Sequence, residues 1–526
     1  MTTPSRRQFL QLLGAAGASM SSTVRASTGV FGQAPAIVRA EGALPVVDYG
    51  VASGDVGLDR ALVWAHVDRP ARMVVEYSTT DAFRRVQRVS GPMATPETGL
   101  TARVPLQRLP AGQQIHYRVS FEDARNSRVI GQPVAGMFRT ASANPADVRL
   151  AWSADTVGQG WGIDEARGGM RLFETMRQAN PDVFINLGDT IYADQPLQES
   201  VTLDDGTIWR NLMTPSKAKV AETLDEYRGA HLYNRLDAHY KRFAADVAQV
   251  TLWDDHEVRD NWFPQQEIPR DARYTEKRVG VLAQRARRAF LEHYPIPLSA
   301  DGAGRVYRTV AYGPLVEIFA LDMREYRGAN SDNVQTTLDA SSAFMGSAQV
   351  RWLQERLAAS KAVWKVIAAD MPLSVVVSHA PHEFEAVAND DPGPPLGREL
   401  EIAGLLRFIK QQQIRNVVWI TADVHYCAAH HFDPARAAFK EFDPFWEFVA
   451  GPAHAGTFAP GALDPTFGPE LKFSGVPPDL KPNRPPTDGL QFFGTLSVDA
   501  RSRVMTVRLH NLSGAAIYTN ELLPQV

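Results

Sequence analysis

The sequence predicts an α/β domain preceded by a small all-β domain. Between Tyr49 and Thr140, short alternating apolar segments are separated by Pro, Gly and Asp turns. After Ala143-Asn144-Pro145 the period changes, and near-continuous apolar runs alternate with helical stretches. A chain of 526 residues exceeds what one hydrophobic core usually organises, which favours two or more domains. With 44% hydrophobic and 22% charged residues the composition is that of a globular protein, and wholesale disorder is excluded.

Residues 1–45 open with Ser5-Arg6-Arg7-Gln8-Phe9-Leu10, followed by a weak apolar run to Ala16 and an Ala-, Ser-, Gly- and Pro-rich stretch to Leu44. This matches a twin-arginine signal peptide and linker, so the expected location is periplasmic or secreted and the expected export partner is the twin-arginine translocase. No other stretch approaches the ~20 apolar residues of a membrane helix, so no stable span is expected in the mature protein.

Residues 46–142 carry the alternating segments Ala61 to Val67, Met73 to Tyr77 and Ile115 to Val119, which read as a β-sandwich. Within it, Leu106 to Tyr117, where Leu-Pro-Ala-Gly precedes a strand, resembles the fibronectin type III pattern.

Residues 146–526 form the α/β part. Its expected strands are Val148 to Trp152, Val183 to Leu187, Val250 to Trp253, Val316 to Leu321, Trp364 to Ala368 and Asn416 to Ile420. Apolar runs without alternation indicate strands buried on both faces. Helices are expected over Met170 to Ala179, Ala348 to Ala359 and Leu400 to Gln412, and an antiparallel pair over Leu490 to Val498 and Arg503 to Leu509. The irregular, Pro- and Gly-rich stretch from Pro452 to Pro486 suggests a loop that shapes a site, or structural padding.

A formal net charge of -4 supplies no basic field for holding nucleic acid through its phosphates, so a phosphorylated substrate must be captured locally. The one cysteine, Cys427, excludes an internal disulfide and a multi-cysteine zinc cluster.

Polar residues collect where the strands end. Asp155 follows the first, Gly188-Asp189-Thr190-Ile191-Tyr192 the second, Asp254-Asp255-His256-Glu257 the third and Asp423-Val424-His425 the last. Ligands in open α/β sheets gather outside the carboxyl ends of strands, so clusters distant in sequence converge there. Carboxylate, imidazole and phenolate suit iron, zinc or manganese, and oxygen alone suits calcium.

The blocks Leu187-Gly188-Asp189-Thr190-Ile191-Tyr192-Ala193-Asp194, Trp253-Asp254-Asp255-His256-Glu257 and Thr421-Ala422-Asp423-Val424-His425 resemble the signatures of PhoD-like alkaline phosphatases and phosphodiesterases. Leu321-Asp322-Met323-Arg324-Glu325-Tyr326-Arg327 adds a further echo, and the resemblance spans nearly the whole chain. It implies a four-layer metallophosphoesterase-like sandwich and a binuclear or larger metal site containing iron (Fe3+) and calcium. It further implies that Asp189 bridges two metals, that Tyr192 donates a phenolate to iron, and that Asp155, Asp255, His256, Asp423 and His425 supply further ligands.

The sequence departs from the family at the first block. A cysteine ligand is usual there, but the run is Ser153-Ala154-Asp155-Thr156-Val157, with Val157 in place of the usual histidine. Asp155 is expected to take over with a harder oxygen ligand, so that a calcium-rich, zinc or manganese pair comes into consideration.

Arg259 and Asn261 follow the Asp-His-Glu block closely enough to reach a phosphate oxygen, and with His425 they form the expected catalytic set. Arg324 and Arg327 are alternatives for the phosphate, each weighed against an ordinary ion pair. His379, His382, His430, His431 and His454 are open candidates for a general acid, and Trp161 for a pocket wall or core packing. The expected reaction is attack on a phosphate mono- or diester by hydroxide formed on a cation. A phospholipase D-like activity on lipids or teichoic-acid-like polymers, or a non-enzymatic secreted binding protein, is the alternative.

Overall fold

The computed structural model describes residues 44–298 and 304–525. The twin-arginine segment and nearly all of the linker lie outside the described residues.

Two large sheets form the centre. The first has nine strands in the order Ala516–Leu522, Met505–Asn511, Phe492–Val498, Val148–Ser153, Val183–Asn186, Ala248–Thr251, Val51–Gly54, Arg60–His66 and Thr101–Gln107. The second has seven, in the order Arg308–Tyr312, Val316–Ala320, Trp364–Ala368, Val417–Thr421, Phe445–Val449, Ala428–Phe432 and Pro469–Ser474. Six strands position the site and are labelled β1 (Val148–Ser153), β2 (Val183–Asn186), β3 (Ala248–Thr251), β4 (Val316–Ala320), β5 (Trp364–Ala368) and β6 (Val417–Thr421). The strands β1, β2 and β3 run parallel, as do β4, β5 and β6, so each trio ends at one sheet edge.

The apolar runs follow from burial on both faces of these strands. Leu150, Trp152, Ile185 and Val250 of the first sheet meet Ile318, Val366, Val418 and Ile420 of the second in one central core. The intervening residues point outward to helices. Phe184 packs with Phe173, Met176 and Phe243, while Phe319, Ile367 and Trp419 pack with Leu353, Leu357, Ile402 and Leu406. The result is four layers, helix on sheet on sheet on helix. Arg171–Gln178 shows why such a segment is helical: Leu172, Phe173 and Met176 recur on one face and are buried, each worth roughly 1.5–3 kcal/mol.

The N-terminal β region contains a four-stranded antiparallel sheet, Gln87–Ala94, Ala71–Ser78, Gln114–Asp123 and Val134–Arg139. The strands it packs against, Val51–Gly54, Arg60–His66 and Thr101–Gln107, belong to the nine-stranded sheet, which they join where Gly54 pairs with Gln249 of β3. One sheet therefore crosses the expected boundary near residue 142. Alternation reveals strands but not which neighbour a strand selects. The terminal strands Phe492–Val498 and Met505–Asn511 pair antiparallel as expected and close on β1.

Candidate metal centre

The residues just beyond β1, β2, β3 and β6 meet at one rim. Among the described residues, Asp155, Asp189 and His425 form one group whose donor atoms all lie within 4.8 Å of one another, and Asp189, Asp255 and His256 form a second. Both contain Asp189. All five side chains are buried.

The backbone bends sharply to deliver them. Asp155, Asp189, Asp423 and His425 adopt left-handed conformations, with φ of 62°, 45°, 65° and 59°. Non-glycine residues rarely occupy this region, and such strain concentrates at functional sites. Gly188 precedes Asp189 at φ 119°, where a Cβ would stand 2.6 Å from Cβ of Asp254, so only glycine fits the crossing of these two loops.

Each histidine is oriented by its Nδ1. His425 Nδ1 donates to the Gly456 carbonyl at 2.5 Å, and His256 Nδ1 bonds Asp194 Oδ1 at 2.7 Å. Both rings are thereby left with Nε2 for a ligand, the arrangement typical of metal-binding imidazoles. Tyr192 Oη lies 2.8 Å from His425 Nε2, and the Tyr192 ring stacks on His256 with centroids 4.3 Å apart.

The carboxylates have few donors, Asp189 Oδ1 accepting only the His256 backbone N–H at 3.1 Å. Asp155 has no hydrogen-bond partner on either oxygen, and Asp255 has none on Oδ1, its Oδ2 accepting the Asn261 backbone N–H at 2.6 Å. Burial pushes the Asp155 and Asp189 carboxyls well above the carboxylate range. Burial also raises Asp255, but the charges of His256 and Arg324 outweigh it and bring it to about 2. It takes His425 down to about 4, and together with the charge of Asp189 it pushes the Tyr192 phenol well above its ordinary value. Buried acceptors without donors are costly, and a cation is the partner that satisfies carboxylate, imidazole and phenolate together. The donor set fits such a group.

Neither group contains a thiol. Cys427 is buried, and burial raises its pKa. Asp423 lies outside both groups, with Oδ1 3.8 Å from Arg324. The Arg259 guanidinium bonds Gln266 at 2.9 Å and approaches Asp271 at 3.9 Å, while the Asn261 side chain faces Asp260 at 3.4 Å. Arg324 and Arg327 are buried against Glu385. His430 pairs with Glu447, His454 Nε2 bonds the Gly162 carbonyl, and Trp161 Nε1 donates to Asn483. Part of the Pro452 to Pro486 stretch reaches the site, through the Gly456 carbonyl and the Phe458 ring against His425.

Three supporting residues were not assigned roles from sequence. Asp194 orients His256. Glu257 accepts the backbone N–H and hydroxyl of Thr190 at 2.6 and 2.5 Å, and the Asp254 N–H at 2.7 Å, tying the loop after β2 to the loop after β3. Lys217 donates to the Tyr192 carbonyl at 2.8 Å. For Asp194, the signal was an acidic residue two positions beyond Tyr192.

Residues 150–509 match the family model described as PhoD-like phosphatase, and residues 32–142 match the model of its N-terminal domain. The chain belongs to the PhoD-like phosphatase family. It is a phosphoric ester hydrolase by this membership. It is 29% identical over 475 residues to alkaline phosphatase D of Bacillus subtilis (strain 168), covering 84% of this chain and 75% of that protein. The solved structure of PhoD superposes with a TM-score of 0.66 at 21% identity, covering 91% of this chain and 89% of that one. A purple acid phosphatase from yellow lupin (Lupinus luteus) seeds superposes at 0.55 with 11% identity, covering 91% of this chain and 74% of that one. These two likenesses concern the fold, a metallophosphoesterase-like four-layer sandwich.

Proposed function

We propose that this PhoD-like phosphatase is an exported, metal-dependent phosphoesterase with two cations at the rim, bridged by Asp189. The sharing of Asp189 between the two ligand groups carries this reading. Asp155 and His425, with Tyr192, would hold one cation, and Asp255 and His256 would hold the other. Bound there, the cations supply Lewis acidity toward water and phosphate. The chain's own residues fix the donors: Asp194 and Gly456 set the two imidazoles, and the Asn261 N–H holds Asp255 in place. An oxygen- and nitrogen-rich set favours iron, calcium, zinc or manganese over softer ions.

The reading extends to residues 1–45 as a twin-arginine leader and residues 46–142 as a fibronectin-III-like scaffold. Asp423, Arg259 and Asn261 are proposed at the edge of the substrate site, with the Arg259 guanidinium turned toward Gln266 rather than toward a phosphate.

Of mono- and diester hydrolysis, one observation favours the diester. Arg259, Arg324 and Arg327 are each held by protein acceptors, so none of the three is presented to the second negative charge of a monoester. Turnover of bis-p-nitrophenyl phosphate and p-nitrophenyl phosphate, with and without chelator, tests both parts. A higher kcat/KM for the diester, abolished by chelator, is expected. Turnover that survives complete removal of metal would end the metal-dependent reading.

A further inference from the structure

Behind the centre lies a buried arginine whose surroundings exceed those of an ordinary ion pair. Arg324 is fully buried, and its guanidinium meets carboxylates from several strand ends. It reaches Asp254 beyond β3 at 2.5 Å, Asp370 beyond β5 at 3.3 Å and Asp423 beyond β6 at 3.8 Å, and it also pairs with Glu385. Arg324 itself follows β4. Asp254 adjoins the ligand Asp255, and Asp423 lies two residues before His425.

We propose that Arg324 is a positioning residue of the metal centre, an internal cation whose fork fixes the loops bearing Asp255 and His425 relative to one another. The inference rests on the two-cation reading above. Guanidinium is planar, permanently charged and donates along several fixed directions, so one side chain can hold carboxylates from three loops where an ammonium cannot. The same contacts explain why Asp423 stands outside both ligand groups. Its charge is directed to Arg324, which leaves Asp155, Asp189 and His425 to close the first site.

Arg398 provides the internal control. It is equally buried, but it donates to main-chain carbonyls, including those of Glu385 and Ala386, and to Asn330 Oδ1. Arg324→Lys and Arg398→Lys thus impose the same chemical change at two buried positions, only one of which touches Asp254 and Asp423.

The full chain, stripped by chelator, is titrated with Mn2+ by calorimetry, with thermal unfolding recorded on the same samples. Arg324→Lys is expected to weaken Mn2+ binding about tenfold, as loss of a ligand-orienting partner does. Arg398→Lys is expected to lower Tm while leaving Mn2+ affinity at the wild-type value. Equal affinities for the two variants, or wild-type affinity in Arg324→Lys, overturns the assignment. A wild-type chain that binds no Mn2+ instead overturns the two-cation reading on which it rests. If Arg324→Lys does not fold, Asp370→Asn carries the test. It removes a carboxylate that holds the guanidinium but none from either ligand group, and it is expected to weaken Mn2+ binding measurably. Unchanged affinity there overturns the proposal.

Discussion

Tyr192 Oη and His425 Nε2, 233 residues apart in sequence, stand 2.8 Å from one another at the rim of the two sheets. In the proposed two-cation centre, a phenol and an imidazole nitrogen this close, beside unpartnered Asp155, are neighbours around one cation. Tyr192→Phe is therefore expected to lower diester turnover by about tenfold or more while changing stability by no more than about 1.5 kcal/mol. If iron is bound, its visible absorption band disappears as well. Activity, absorption spectrum and urea unfolding of the variant check this.

Glu257 binds no substrate in this reading, yet it secures Thr190 and Asp254 through three hydrogen bonds in a fully buried position. Glu257→Ala leaves these donors without an acceptor and is expected to cost about 3 kcal/mol. The denaturation midpoint in urea should fall with an unchanged slope.

Lys217 gives a pH signature. Burial lowers its pKa from 10.5 to about 8, against the opposing pull of Asp194. The unfolded chain thus binds a proton more readily than the folded one between about pH 8 and 10.5. Stability from this group is complete above the unfolded value and is lost as pH falls through about 8, a difference of about 3 kcal/mol. Unfolding free energy measured from pH 7.5 to 10.5 should rise in this way, and Lys217→Met should flatten the rise.

Gly451 faces Asp155 so closely that a Cβ there would collide with Oδ2. Gly451→Ala is expected to cost about 1–3 kcal/mol by overpacking. It should also displace Asp155 and reduce bound metal, which elemental analysis of the purified variant would show.

Much of this arrangement was legible in the chain. The doubly buried strands β4, β5 and β6 announce themselves as unbroken apolar runs, and Asp189, His256 and His425 stand just beyond strand ends, where parallel sheets place their ligands. The orienting partners were less visible, because their roles arise from approaches across the fold. Arg324 is one basic residue in a loop until Asp254, Asp370, Glu385 and Asp423 close around it. Arg259 lies five residues beyond Asp254, yet Gln266 and Asp271 claim its guanidinium. The entry of Val51–Gly54 into the large sheet depends on a single parallel pairing, Gly54 with Gln249, which local alternation does not encode.

The shared use of Asp189 is open to a stoichiometric test. Metal bound per chain is measured by elemental analysis for the wild type, Asp255→Ala and Asp189→Ala, each shown by circular dichroism to be folded. Two ions are expected in the wild type, one in Asp255→Ala and none held tightly in Asp189→Ala. An Asp189→Ala chain that retains both ions would show that this carboxylate does not join the two sites.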